Sequence, residues 1–477
     1  MIPRTVYNGR YLLIILAFGL IVISSNLDFS AVTHEEARNI LTGRHIMNGR
    51  HCPLNLYVNG TSIINSGLAG IGEYVGGLYG ARAIGIFFGL ALTVVVYIMV
   101  NILFPGNFGL IGAALFLFSG TTLHLSKLAT YDIAAAFFLG LSFLLILLSG
   151  ENKTVIRPGF WLLAGVTSFL LAFLIKNITA VFIIPIVIYV FWKNKISDAV
   201  IFFLLPLAIF SAMVFFTLPY PPVSHFWGSI QNPHNVSRSQ LSIVINNIYR
   251  LLVMPYLLAV FGIFHKDNRM KTSLALILLS LMVVVFHLLS GDVVSMNADV
   301  IYSIIFLTPV AALGVDCMGA IFSTGISLKW AKPFFTTAVL VVVLIFGFHE
   351  FRVIQKKSPD MSPVITFFRE NGFDGMTVVV DSANKDPDCV YIYSLENSFP
   401  NARFIGVPSH SPDKIEAILN NELPDFFVIE EYYKNASFRV TAGRFSNRNY
   451  IFVKNLQISL PWGIEDVLIF KKEVEYE

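Results

Sequence analysis

Long apolar runs separated by short polar or basic segments make up most of this chain. Runs at residues 12–25, 83–104, 108–123, 133–148, 160–175, 178–192, 199–216, 251–264, 273–289, 300–315 and 334–348 each predict a membrane-spanning helix. That makes about eleven spans, several of them short for a full crossing. Three stretches break the pattern. Residues 26–82 are too long and too mixed for a hairpin, and 35–47 within them predict an amphipathic helix lying on the membrane. The glycine-rich stretch 67–80 reads as interfacial or re-entrant, and the proline-rich stretch 219–250 as a second outer loop. After residue 348 the pattern turns soluble. Phe367 and Phe368 sit on a helical stretch, and short apolar strands are expected near 377–380, 403–407, 425–429 and 450–453. A helix is expected at 413–419, so the tail predicts a parallel α/β layer. The expected organisation is a polytopic α-helical membrane domain over residues 1–348, with outer loops 26–82 and 219–250, and a soluble extracytoplasmic α/β domain over 349–477.

Charge fixes the orientation. With a cytoplasmic start, Arg4, Arg10, Lys153, Arg157, Lys193, Lys195, Lys266, Arg269, Lys271, Lys329 and Lys332 all fall inside. Dropping one middle span would send the later basic loops outside, so the charges check the count independently of hydropathy. Composition agrees with a membrane protein: 55% of residues are hydrophobic and only 13% charged. The net charge of +3 is scattered over loops and does not suggest nucleic acid. Cys52, Cys317 and Cys389 show no metal-ligand spacing, and His34, His45, His51, His225 and His234 share a side without fixed spacing. No cofactor is indicated, and a divalent metal is left as an open alternative.

The distinctive ionisable residues gather at the outer ends of the spans. Charge beside hydrocarbon is costly, so acids and bases collected at one face suggest a reaction site. Thr33 followed by Glu36 is a capping-box pattern, which gives Glu36 a structural reason to be there. Glu35 is left on the first turn with Arg38 one turn away, placed to deprotonate an acceptor hydroxyl. Asp132 opens a span behind Lys127, Thr130 and Tyr131, where it suits both a helix start and a pocket acid. Lys176 ends a span on the side that the positive-inside preference does not favour; snorkelling or an anion would each explain it. Arg38, Arg82, Lys127, Lys176, Arg238 and Arg250 all face outward in this topology, as an anionic partner requires.

These motifs carry a resemblance. Glu35-Glu36-Ala37-Arg38, Leu78-Tyr79-Gly80-Ala81-Arg82, Lys127 to Asp132 and Lys176 together resemble the membrane glycosyltransferases of the C superfamily. The branch they resemble holds protein O-mannosyltransferases and lipid A aminoarabinose transferases. The similarity runs in order through residue 190 and continues loosely through Tyr302 and Pro309. It implies transfer of one sugar, with inversion, from a polyprenyl-phosphate donor to a lipid, glycan or protein hydroxyl outside the cytoplasm. Glu35 and Asp132 would be the catalytic acids, with Glu36, Arg38, Arg82, Lys127, Lys176, Arg238 and Tyr302 as binding residues. Three departures stand out: Glu35 replaces the family's usual aspartate, and the Lys-Pro-Pro motif is missing around Asn59 to Asn65. The basic residue often found before the tenth-span tyrosine is also missing, with Asp299 nearby. A transporter or flippase for an amphipathic anion is the alternative, and the repeated halves common in transporters are not found.

Overall fold

The computed structural model of the chain describes residues 9–25, 27, 32–48, 63–104, 106, 108–150, 157–217, 238–266, 268–292, 295–324, 328, 330–355, 361–371, 375–382, 389–399, 401–408, 424–430, 450–460 and 463–473. It divides into two compact units, one of Met1–Asn26 with Tyr57–Ile354 and one of Leu27–Leu56 with Gln355–Glu477.

The first unit is helical. It contains α1 (Gly9–Ser24), α3 (Ile63–Leu103), α4 (Phe108–Leu117), α5 (Gly120–Ser126), α6 (Asp132–Ser149) and α7 (Pro158–Ile175), counting α2 (His34–Met47) with the other unit. A 3-10 turn, Asn177–Phe182, leads into α8 (Ile183–Lys193), and α9 (Ile196–Ala199) continues through a π-helical turn into α10 (Leu205–Thr217). There follow α11 (Arg238–Ile263), α12 (Met270–Ser290), α13 (Met296–Phe322) and α14 (Ala331–Gln355). Among the described residues, eight helices are long and apolar enough to span a membrane, or nine if the bent pair α4 and α5 forms one span. The helices at Gly9–Ser24 and Asn177–Lys193 are apolar but shorter, so the expected count of eleven exceeds the spans that pass on length and composition.

α13 is the hub of this unit. Residues 299–315 are buried without interruption, because this helix is apolar all round and has neighbours on every side. α14 shows the opposite pattern, exposing Phe334, Val341, Val342 and Ile345 as lipid-facing side chains do. α11 and α13 meet backbone to backbone: a Cβ added to Gly262 would lie 2.1 Å from the Val310 carbonyl oxygen, and one added to Gly314 only 1.8 Å from that of Leu258. Small residues at such crossings let membrane helices approach closely. α11 begins at Arg238, so helix already occupies the 238–250 part of the expected loop; residues 218–237 lie outside the described set.

The glycine-rich stretch is helical and folds back. α3 breaks at Gly76 and Gly77, where Gly77 takes a left-handed φ of 59°. Gly72 and Gly80 then meet through their backbones, although a straight helix would hold positions eight apart at about 12 Å. A Cβ on Gly80 would sit 2.0 Å from the Gly72 carbonyl oxygen, whereas one on Gly67 would meet nothing within 4 Å among the described residues. Gly80→Ala is therefore expected to destabilise the protein by about 1–3 kcal/mol, with Gly67→Ala near wild type; thermal unfolding in detergent measures both.

The second unit holds α2, α15 (Ser362–Glu370), α16 (Cys389–Ser398) and five strands: β1 (Thr377–Ser382), β2 (Arg403–Pro408), β3 (Phe426–Glu430), β4 (Tyr450–Leu460) and β5 (Gly463–Lys472). The sheet order is β2-β1-β3-β5-β4. β1 pairs in parallel with β2 and β3, while β5 is antiparallel to β3 and β4. The expected parallel layer is thus a mixed sheet. Its antiparallel edge arises because β4 and β5 are joined too closely for a crossover helix and form a hairpin. The expected helix at 413–419 lies outside the described residues.

Residues 27–56, placed by sequence with the membrane domain, cluster with this second unit. α2 is too polar to sit among spans, and it packs through one face. Ala37, Ile40 and Leu41 are buried, the Arg44 guanidinium lies 5.6 Å above the Tyr393 ring, and Arg44 Nη2 donates to Asn397 Oδ1 at 3.2 Å.

Candidate active site

Four helix ends in the first unit bring together a buried charged group. Asp132 opens α6, where its carboxylate complements the helix dipole. Lys176 follows α7 with extended backbone, φ −150° and ψ 119°, which ends that helix before the 3-10 turn. Asp299 lies in the first turn of α13, and His287 in the last turn of α12. All four side chains are buried.

Lys176 joins the two acids. Its Nζ donates to Asp132 Oδ1 and, at 2.5 Å, to Asp299 Oδ1, and it lies 5.1 Å from the centre of the Tyr131 ring. On the far side of Asp299, Oδ2 is 3.1 Å from His287 Nε2 and accepts from Ser295 Oγ at 2.7 Å. His287 Nδ1 donates to the Asp292 carbonyl oxygen at 2.8 Å. Gly291, left-handed at φ 66°, caps α12 and turns the chain so that this carbonyl faces back onto the ring.

Several buried polar atoms of these residues and of their neighbours in the chain have no hydrogen-bond partner among the described residues. They are Asp132 Oδ2, Thr130 Oγ1, Asn177 Oδ1 and the Tyr302 hydroxyl. Buried polar atoms are normally satisfied, so a cluster of unmatched ones marks a place where a polar ligand or water fits. Tyr302 is also within electrostatic reach of Lys176, Asp132 and Asp299.

Two further cations lie near each other. Arg82 is buried, and Lys127 donates to the Ser25 carbonyl at 2.6 Å with Phe351 5.2 Å from its ammonium. Burial first, and Arg82 second, hold the Lys127 pKa below its usual value. Arg250 has buried Nε and Nη2 atoms without partners among the described residues. It lies within electrostatic reach of Glu350, which lines an apolar groove with Leu251, Leu258, Ile304 and Val343. Helical spacing puts Ile304, Thr308 and Ala311 on the groove side of α13, while Asp299, Tyr302 and Phe306 form a different face.

The remaining sequence candidates belong to the second unit or lie outside the described side chains. Glu36 completes the capping box: its amide donates to Thr33 Oγ1 at 3.3 Å, and the Thr33 amide donates to Glu36 Oε2 at 3.1 Å. Glu35 and Arg38 are half-buried on the same helix. The Arg238 side chain, His51, His225 and His234 are outside the described set. Among the described residues, no group of three or more His, Cys, Asp or Glu side chains is placed to hold a metal. The structure thus brings together Asp132, Lys176 and Tyr302 from the sequence candidates. The resemblance made Lys176 a phosphate ligand, whereas its ammonium is taken up here by two carboxylates. Sequence reasoning missed His287, Ser295 and the role of Asp299. The available signal was two titratable residues at facing ends of consecutive spans, since an ionisable group within a span is a functional candidate by default.

Comparison with known proteins follows the same direction. A family model described as dolichyl-phosphate-mannose-protein mannosyltransferase matches residues 63–219. No curated protein gave a significant match. Among solved structures, the chain is similar to ArnT from Cupriavidus metallidurans bound to undecaprenyl phosphate, with a TM-score of 0.58 and 13% identity over 97% of this chain and 98% of that one. It is also similar to the oligosaccharyltransferase AglB from Archaeoglobus fulgidus in complex with an inhibitory peptide and a dolichol-phosphate, with a TM-score of 0.56 and 10% identity over 89% and 70%. The arabinofuranosyltransferase AftD from Mycobacteria gives 0.51 and 11% over 98% of this chain and 42% of that one.

Proposed function

From a chain that carries the fold of the C-superfamily membrane glycosyltransferases, we infer an enzyme that moves one sugar from a polyprenyl-phosphate donor to an acceptor hydroxyl. The acceptor oxygen attacks the anomeric carbon, the bond to phosphate breaks, and the configuration inverts. The observation that carries this reading is the unmatched Asp132 Oδ2 beside a buried lysine. It is a carboxylate oxygen held in place by its twin and free to take the acceptor proton. Glu35 remains the second candidate acid, on α2. Arg250 is the phosphate ligand in this reading: a guanidinium with two unmatched donors suits a phosphate, and the groove beside Glu350 suits an isoprenoid chain. The ArnT and AglB structures contain undecaprenyl phosphate and a dolichol-phosphate, which supports a donor of this class.

Orientation follows from charge. Arg157, Lys193, Lys195, Lys266, Arg269, Lys271 and Lys332 lie at the opposite helix ends from Asp132, Lys176 and Asp299. The positive-inside preference supports an extracytoplasmic reacting end in this reading. Arg250→Gln is expected to raise the donor KM about tenfold or more, as loss of a charge-assisted contact would. Vesicles holding the full chain and a polyprenyl-phosphate sugar measure this through release of polyprenyl phosphate. A wild-type KM in Arg250→Gln would remove the phosphate assignment, and movement of intact donor across the vesicle without release would point to a transporter instead.

A further inference from the structure

We propose that His287 is a positioning residue of this site, acting through Asp299 on Lys176, and that the proton it shares with Asp299 sets the charge of the pocket. This rests on the proposed glycosyl transfer for its kinetic consequences but on hydrogen-bond geometry for its origin. A carbonyl oxygen can only accept, so His287 Nδ1, 2.8 Å from the Asp292 carbonyl, must carry a proton. A neutral ring would then point an Nε2 lone pair at the Asp299 carboxylate 3.1 Å away. That contact is favourable only if a proton lies between the two atoms.

The groups that face His287 are Asp299 and Ser295 on one side and the Asp292 carbonyl on the other, with the Phe286 ring beside it. Ser295 Oγ lies 2.7 Å from both Asp292 Oδ2 and Asp299 Oδ2, and its single proton serves one carboxylate at a time. Beyond Asp299 come Lys176, Asp132, Tyr131 and Tyr302. With the shared proton present, Asp132, Asp299, Lys176 and His287 sum to zero charge. Without it the sum is −1, two lone pairs face each other, and Asp299 is held less firmly against Lys176. A more negative pocket stabilises a departing phosphate less well.

The test combines kinetics with a spectroscopic signal. His287→Ala is expected to lower kcat for sugar transfer about tenfold while the donor KM stays within twofold. His287→Gln, whose amide can donate to Asp299, is expected to restore most of kcat. Wild-type kcat in His287→Ala, or no recovery of kcat in His287→Gln, would overturn the proposal. Should the wild-type protein transfer no sugar, the proposed function fails, and proton NMR of histidine-labelled full-length protein still decides this one. A downfield imidazole N–H line that disappears in His287→Gln and shifts in Asp299→Asn supports the shared proton; a line unmoved in Asp299→Asn rejects it.

Discussion

Asp132→Asn is expected to lower kcat for sugar transfer by about 10²–10⁴-fold, the range associated with loss of a positioned acid or base. Asparagine keeps an oxygen where Lys176 donates, so the lysine stays held and the helix start survives. What is lost is the basic Oδ2 that has no partner among the described residues. The donor KM should move far less than kcat, because Arg250 rather than Asp132 meets the phosphate in this reading. Initial rates at saturating donor measure the effect, and a variant within threefold of wild type would remove Asp132 from the reaction.

Lys176→Met is expected to destabilise the protein by about 3–5 kcal/mol, because it leaves two buried carboxylates without their shared cation. The same change in an Asp299→Asn background should cost much less, since one of the two charges is already gone. Thermal unfolding of the four proteins forms a double-mutant cycle, and the coupling it yields separates repulsion from lost packing. Equal losses in both backgrounds would mean that the lysine does not hold the pair together.

Much of this architecture can be read along the chain because hydropathy and loop charge are local properties. The capping box of Thr33 and Glu36 is local too, and it forms as its spacing predicts. Asp132 and Lys176 could be placed at one end of the bundle by counting spans. Their bridging by Asp299 could not, because that contact joins positions 123 residues apart and depends on which helices become neighbours. The membership of α2 was hidden for a similar reason: an amphipathic face declares that it needs a partner but not which one. β5 escaped notice because it opens with Gly463-Ile464-Glu465-Asp466, a polar start that masks the apolar run behind it.

The crossing of α11 and α13 has a mechanical consequence. With Gly262 and Gly314 removing the cushion of side chains, the two rods meet through their peptide groups at Val310 and Leu258. Arg250 is mounted on one rod and Asp299 on the other. The spacing of the two backbones that carry these residues is therefore set by main-chain contact, and only side-chain rotation is left to adjust the reach of the guanidinium.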